Sequence, residues 1–584
     1  MGNDCTRGIS RGDRDERERE QRVRSIDMLL AAIGLGVFVM LILAYGTYGR
    51  YLSRHLELSD DNITPAHKNR DGIDFVPARR FYLFGQHFSA IAAAGPIAGP
   101  IMACAMWGYL PCLIWIALGV VLIGAVHDFL SLTISVRHGA VSIASVAKIQ
   151  LGHGAGLAML IFIWLALIYV IVAFTDITAA SFVGITEELQ GGELFFNPGG
   201  AVAAAAIMYL GLSLVLGFIE HFLKPKMWII TIIFVPLTFV AVWLGTQIST
   251  LLILDAKTWC LLILAYCLLS SMLPVWMLLQ PRGYLGGFIL YTALLVGACG
   301  IFFGNYEIKQ AAFTAFDAHQ MTGALFPFLF VTIACGACSG FHGLVCSGTT
   351  AKQIDKESHM QAVGYGAMLS EAMVALIALA TIMIWAPHEI IGLKPGTIYG
   401  NGIGEFMTLF VGKENLRLAI TFGAMAFSTF VFDTLDVSTR LGRYLVQELF
   451  GRHSKTFALI ATLITVGLPM ILIELADRGS YLQFWTLFGA SNQLLAGLTL
   501  LSITMWLHRA RKRLAYTLLP MLFVLCVSLW ALGDLALSNL RHFSHGMELI
   551  NGLVALSLIA LAIFMIISAL IKVRSESSAF AKDL

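Results

Sequence analysis

Charge is scarce in this sequence. Only 13% of its 584 residues are Asp, Glu, Lys or Arg, against 58% hydrophobic. A soluble domain of this length needs far more charge to cover its surface. Amphipathic stripes, the mark of buried helices in a soluble fold, are also lacking, because the apolar runs are apolar all round. There is no GxxxxGK[ST] nucleotide loop, which argues against ATP drive within the chain, and no HExxH or GxSxG motif. The ten cysteines form no disulfide framework. Most of them, such as Cys104, Cys260 and Cys299, lie inside apolar runs, where a thiol behaves as a small hydrophobe. A net charge of +2 gives no nucleic-acid footprint. No signal peptide is visible. Residues 1–27 read as a disordered arm of mixed charge with no cleavage site.

What is present is a series of apolar runs of roughly 20 residues, the length that crosses ~30 Å of hydrocarbon. The fold class that follows is all-α, a polytopic integral membrane bundle embedded in the lipid bilayer. Spans are expected at 28–49, 85–104, 110–134, 154–183, 199–219, 227–247, 257–279, 285–304, 323–346, 362–386, 416–435, 455–477, 484–507, 516–535 and 548–572, about fifteen in all. The transmembrane domain is placed at 28–572, with a polar connector at 50–84 and a tail at 573–584. If the connector is cytoplasmic and the spans alternate, 24 Lys and Arg fall inside and 7 outside, with 7 more arginines in the arm. Basic residues favour the cytoplasmic side, so this puts the C-terminus inside. The arm does not fit the alternation, and its side stays open.

Three stretches break the pattern of plain spans. The first, GQHFSAIAAAGPIAGPIMACAMWG, carries His87, Ser89 and two Gly-Pro pairs, Gly95-Pro96 and Gly99-Pro100. Proline removes a backbone donor and clashes with the preceding turn. In lipid such a break survives only inside protein or against a water-filled cavity. Transporters use discontinuous helices to aim backbone dipoles at a midplane site. A packing bend is the alternative reading. The second stretch, FVTIACGACSGFHGLVCSGTTAKQ, holds Gly340, Phe341, His342, Ser347, Gly348 and Thr349. Small-residue packing explains its glycines but not His342 and the hydroxyls. Its CGAC, Cys335 to Cys338, has redox or metal spacing, a weak signal in a membrane span.

The third stretch, FSTFVFDTLDVSTRLGRYLVQEL, places Asp433 and Asp436 at the end of an apolar run. Asp436 and Arg440 are four apart and can pair on a helix. The rival reading is a carboxylate that handles protons or cations, since intramembrane acids are costly and usually functional. Other polar residues buried by position are His127, Asp128, Asp176, Glu371, Glu474, Asn492 and Gln493. The histidines titrate near ~6.5 when unperturbed and can exchange protons. What remains is a secondary carrier, with no cofactor and no resident metal called for.

These stretches also carry a family resemblance. The segments TPAHKNRDGIDFVPARRFYLFGQHFSAIAAAGPIAGP, WGYLPCLIWIALGVVLIGAVHDF, ACGACSGFHGLVCSGTTAKQ, TLDVSTRLGRYLVQEL and LFGASNQLLAG resemble the carbon starvation protein A family of bacterial inner membranes. They run from about residue 45 to 507. The resemblance implies uptake of small peptides or pyruvate under nutrient limitation, by proton symport. By motif match it points to His87, Gly95, Pro96, Gly99, Pro100, Asp128, Gly340, Phe341, His342, Ser347, Gly348, Thr349, Asp436, Arg440, Asn492 and Gln493. Position 127 is glutamine in some members, and Cys338 falls where others are apolar. The expected mechanism has backbone N–H groups and the hydroxyls of Ser89, Ser347 and Thr349 holding the carboxylate of a small-molecule substrate. Asp128, Asp436 or a histidine takes the co-transported proton. The rivals are a passive channel and a metal-binding sensor built on His87, His127, His342, Cys335 and Cys338.

Overall fold

The computed structural model describes residues 30–71, 75–183, 196–274, 276–318, 323–452, 454–476, 481–541 and 546–580. The N-terminal arm expected at 1–27 lies outside the described residues, as does the end of the tail. Helices dominate, and the paired strands are two residues each, Asp317–Ala318 and Gly323–Ala324.

Among the described residues, twelve helices are long and apolar enough to cross a membrane. Arg80–Ile91 and Gly95–Trp107, bent by 44° at their junction, form a thirteenth span. The exact count expected, about fifteen within two or so, is not confirmed by this measure. Two of the apolar runs do not wind into long helices. Ala256–Met272 has only 17 residues, and the run at 323–346 is cut into Leu325–Thr332, Ala334–Ala337 and Gly340–Gly348. Among the described residues, one helix of more than ten residues has no counterpart among the expected spans. Pro395–Val411 is rich in glycine, which dilutes its apolar character. Those glycines let it lie close to its neighbours. A β-carbon on Gly400 would stand 2.8 Å from Ala424, and one on Gly404 would stand 2.6 Å from Ile420.

Contacts between loops sort the helix ends onto two faces. On the first, Arg137 pairs with Glu357 at 3.1 Å, and the Glu357 carboxylate also accepts from the Ser59 N–H and the Asn62 amide. Lys512 pairs with Glu57, and Arg509 joins Gln150 to Glu576. The connector, the end of Tyr109–Arg137, the 353–361 loop and the end of the last helix therefore share one face. Beside them Asp60 accepts from both the amide and the hydroxyl of Ser358, which hold its carboxyl below the usual range. On the opposite face Tyr109 and Leu110 donate to the 311–312 carbonyls, and Lys309 donates to Met383. Pro395–Val411 touches this second face along its length. A β-carbon on Gly396 would meet Ser181, one on Gly402 would meet Thr381, and Tyr306 donates to the Glu405 carbonyl. It packs antiparallel against the first part of Leu416–Phe450, with Gly396 beside Phe427, Gly400 beside Ala424 and Gly404 beside Ile420.

Candidate functional site

The two interrupted stretches are packed against each other. The first stops at Ile91, passes through Ala92 to Ala94 and restarts at Gly95. The second breaks at Ile333 and again at Cys338 and Ser339, whose backbones are extended. A β-carbon on Gly95 would stand 2.4 Å from Cys335, and one on Gly99 would stand 2.5 Å from the Thr332 carbonyl. Pro96 lies 3.5 Å from where a β-carbon on Gly336 would be. Gly99 is there because backbone meets backbone, and Gly95 because the Cys335 side chain lies directly against it. The second proline, Pro100, sits inside helix Gly95–Trp107.

Backbone groups freed at the breaks must find partners away from water. Helix Tyr481–Arg509 supplies them. Asn492 Oδ1 accepts from the Phe341 N–H at 2.9 Å, and its amide donates to Ser339 Oγ at 3.1 Å and to Cys335 Sγ at 3.2 Å. Gln493 donates to the Phe330 carbonyl, and Trp485 donates to the Thr332 carbonyl. A β-carbon on Gly340 would stand 2.4 Å from the Asn492 carbonyl. Asn492 and Gln493 thus hold the second break in shape. Ser347 and Thr349 donate to carbonyls of their own helix, Gly343 and Val345, and Ser347 accepts from the Ile143 N–H. Ser89 is partly exposed and makes a 3.3 Å bond to the Gln86 carbonyl, while Gly348 has open space about it.

Beside this seam lies a line of buried ionisable side chains. Asp128 is the centre. His127 Nδ1 is 2.7 Å from its Oδ1, and His342 Nδ1 is 2.9 Å from its Oδ2. On the far side of His342, Nε2 is 3.3 Å from Glu371 Oε2. All four residues are 0–1% exposed. Three helices position them. Ala125–Arg137 carries His127 and Asp128, Gly340–Gly348 carries His342, and Ala367–Met383 carries Glu371. His87 approaches from Arg80–Ile91, with Nδ1 at 2.9 Å from Thr350 and Nε2 at 3.8 Å from Cys346. The Cys346 thiol in turn faces the Asp128 carbonyl at 3.4 Å. Both carboxylate-bearing helices follow directly on π-helical stretches, Trp115–Gly124 and Gln361–Gly366. Such wide turns re-aim the side chains beyond them and recur at functional sites.

The arrangement constrains its protons. If Asp128 is ionised, it accepts N–H from the Nδ1 of both histidines. The Nε2 of a neutral His342 then bears a lone pair and faces Glu371. Two acceptors 3.3 Å apart would repel, so one proton belongs to that contact, either on Glu371 or on the imidazole. The contact is not a formed hydrogen bond, and neither Glu371 oxygen has a hydrogen-bond partner among the described residues.

Asp433 and Asp436 belong to a second cluster, and Arg440 is not their partner. Asp433 accepts from Arg282 Nε at 2.7 Å. Asp436 pairs with Arg282 Nη1 and accepts from Ser270 and from the Tyr266 hydroxyl. Arg282 itself is fully buried. Arg440 instead donates to the Ser270 and Leu273 carbonyls, and Arg443 donates to Ser271. They satisfy the last carbonyls of Ala256–Met272, the end at which cations are favoured. The expected Asp436–Arg440 pairing is thus corrected, because a carboxylate that deep takes the nearer, buried guanidinium. Among the described residues no hydrogen bond or ion pair links the two clusters. Arg282 went unrecognised because QPRG reads as a loop, yet helix Leu279–Phe303 already contains it. Glu474 is also not buried. It is exposed and pairs with Lys257 at 3.6 Å.

The sequence profile of the family described as carbon starvation protein CstA matches residues 27–401 and 394–531. The chain belongs to this family. Among relatives of the CstA family, one from Campylobacter jejuni described as a peptide transporter CstA is 31% identical, over 91% of this chain and 82% of its own length. Another of the same description, from Bacillus subtilis, is 32% identical over 93% of this chain and 97% of its own. A third, from Escherichia coli and described as the pyruvate/proton symporter BtsT, is 31% identical over 84% and 80%. Among solved structures, a manganese transporter of Eremococcus coleocola covers 83% of this chain and 94% of its own at 13% identity, with a TM-score of 0.43.

Proposed function

We propose that the protein is a secondary active transporter of the bacterial inner membrane, serving uptake under carbon starvation. It couples the inward movement of a small carboxylate-bearing solute, a peptide or pyruvate, to protons. The observation that carries this reading is the sealed line His127, Asp128, His342 and Glu371 at the junction of two broken helices. Burying four ionisable groups there is costly, and retention of such groups within a membrane marks proton or substrate routes. Relatives described as peptide transporters and as a pyruvate/proton symporter support the same class.

In this reading the seam between Gly95, Pro96, Gly99 and Pro100 on one side and Gly340 and Phe341 on the other, closed by direct packing here, parts to admit the solute. Parting the seam frees backbone N–H groups at the restarting helices for its carboxylate, the Phe341 N–H being held by Asn492 until then. Asn492, Gln493, Ser347 and Thr349 shape the seam, since their polar groups are already engaged there. His87 reports on the same space through Thr350 and Cys346. Protonation of the Asp128 line neutralises charge in a low-dielectric site and favours turning to the inward-facing state. The face that carries the connector is the cytoplasmic one, consistent with its excess of Lys and Arg.

The test is uptake of labelled pyruvate and of a labelled dipeptide into proteoliposomes, with and without an imposed pH gradient. Saturable uptake of one of them that depends on the gradient is expected. Flux that persists after the gradient collapses and does not saturate would instead indicate a passive pore.

A further inference from the structure

The Asp128 line ends in an atom with nothing to bond to. Among the described residues, His127 Nε2 is buried and without a hydrogen-bond partner, and so is the hydroxyl of Ser131, one helical turn further along. Both residues are 0% exposed. Across from them, on Gly340–Gly348, is Gly343. The position that a β-carbon on Gly343 would take lies 3.4 Å from His127 Nε2 and 3.6 Å from Ser131 Oγ. Two orphaned polar atoms therefore border one small space that exists because residue 343 has no side chain. An unpaired buried hydroxyl or imidazole nitrogen is expensive, and a site flanked by two polar groups is where a buried water belongs.

The direction of this space matters. His127, Ser131 and Ser135 recur every fourth residue, on one face of Ala125–Arg137. The helix runs from the Asp128 line to Arg137, which is bound to Glu357 on the connector face. Ser135 donates to the Val141 carbonyl at the turn that follows, and Ser347 lies one turn beyond Gly343 on the facing helix.

We propose that a water held between His127 Nε2 and Ser131 Oγ, in the space left by Gly343, is the site through which the transported proton leaves toward the connector face. The inference rests on the proton-coupled reading above. With Asp128 ionised, His127 donates Nδ1–H to it, and Nε2 carries the lone pair. On loading, a hydronium from the outward-facing side breaks an O–H bond, its proton adds to the Nε2 lone pair, and the imidazolium is paired with the Asp128 carboxylate. On release that N–H bond breaks and its electron pair stays on nitrogen. The water takes the proton and passes it on by way of Ser131, and the ring again donates Nδ1–H. The ionisable groups around this site are Asp128 on the same helix, His342 from Gly340–Gly348, Glu371 from Ala367–Met383 and His87 from Arg80–Ile91. Of the five, only His127 presents a free nitrogen to Ser131.

Two variants test this in proteoliposomes. Ser131→Ala removes a hydroxyl that bonds to nothing among the described residues, so its fold is retained. Gly343→Ala fills the space with a methyl group. Each is read in two assays, uptake driven by an imposed pH gradient and equilibrium exchange of labelled for unlabelled substrate, which needs no net proton release. Both variants should slow gradient-driven uptake by about tenfold or more while exchange stays within about twofold of the parent protein. Equal losses in both assays would show a packing defect, and no loss in either would show that the proton leaves elsewhere. Either result overturns the proposal. Failure of the unmodified protein to respond to the gradient at all would instead overturn proton coupling itself.

Discussion

Asn492 caps Phe341. Its side-chain oxygen takes the backbone hydrogen of a residue at the start of Gly340–Gly348, from a different helix and across the break. The N-terminal N–H groups of a helix have no partner within it, and in a bilayer none is available from lipid. One amide side chain thus fixes where the helix bearing His342 begins, and so where His342 meets Asp128.

Replacing that clamp should cost both stability and function. Asn492→Ala leaves the Phe341 N–H buried without an acceptor and frees Ser339 and Cys335, an expected loss of about 1–3 kcal/mol. Gln493→Ala removes a single 3.3 Å bond to the Phe330 carbonyl and should cost less. Thermal unfolding in detergent gives the order. An Asn492→Ala protein that melts with the parent would show that the break holds itself.

Asp128→Asn should abolish gradient-driven uptake while leaving the protein in the membrane. The amide keeps the size of the carboxyl group but can neither accept from both histidines through like oxygens nor carry the coupled charge. Full uptake by this variant would remove Asp128 from the coupling route.

The Arg282 cluster makes a different prediction. Arg282→Met strands Asp433 and Asp436 without their counter-charge, and breaking a buried pair in this way costs about 3–5 kcal/mol. Low membrane yield is expected. Adding Asp433→Asn and Asp436→Asn removes the stranded charges and should restore yield. Uptake by the triple variant then tells whether the cluster is structural. If Arg282→Met alone is as abundant as the parent, the carboxylates have another partner.

Much of this architecture could be read from apolar runs, because each span must satisfy its own backbone and cover itself in apolar side chains. The breaks at Gly95-Pro96 and in the CGACSGFHG stretch were legible for the same reason, since proline and clustered glycine cannot sit quietly in lipid. Which side chains meet was not legible. Asp436 has a suitable arginine four residues away, and only the crossing of three helices shows that it pairs with Arg282 instead. The hydroxyls of Ser347 and Thr349 look free in sequence, yet their own helix carbonyls take them. Helix Pro395–Val411 escaped notice because glycine, which lets it pack, also hides it from any hydropathy reading. The Asp128 line falls between these cases. Its members are each visible as costly buried residues, but their spacing of 214 and 243 positions along the chain gives no sign that they touch.

The last prediction concerns how this sealed site opens. Glu357 is nearly buried on the connector face, where it holds Arg137 by two hydrogen bonds and also receives the Ser59 N–H and the Asn62 amide. It therefore ties together the connector, the end of the Asp128 helix and the loop between the His342 and Glu371 helices. Inward opening has to part at least some of these contacts. A cleft of about 400 Å³ already lies beside them, lined by Asn62, Thr64, Lys68, Arg137 and Glu357 among others. Glu357→Ala should favour the open form. If the lost contacts are worth about 1.4 kcal/mol, the population of that form rises about tenfold. Cys346, buried behind this face and next to His87, is a native reporter. With the exposed Cys526 replaced by serine, a membrane-impermeant thiol reagent applied from the connector side should label Cys346 correspondingly faster in the variant. An unchanged labelling rate in a protein that still folds would mean that the inner gate is held by other contacts than those of Glu357.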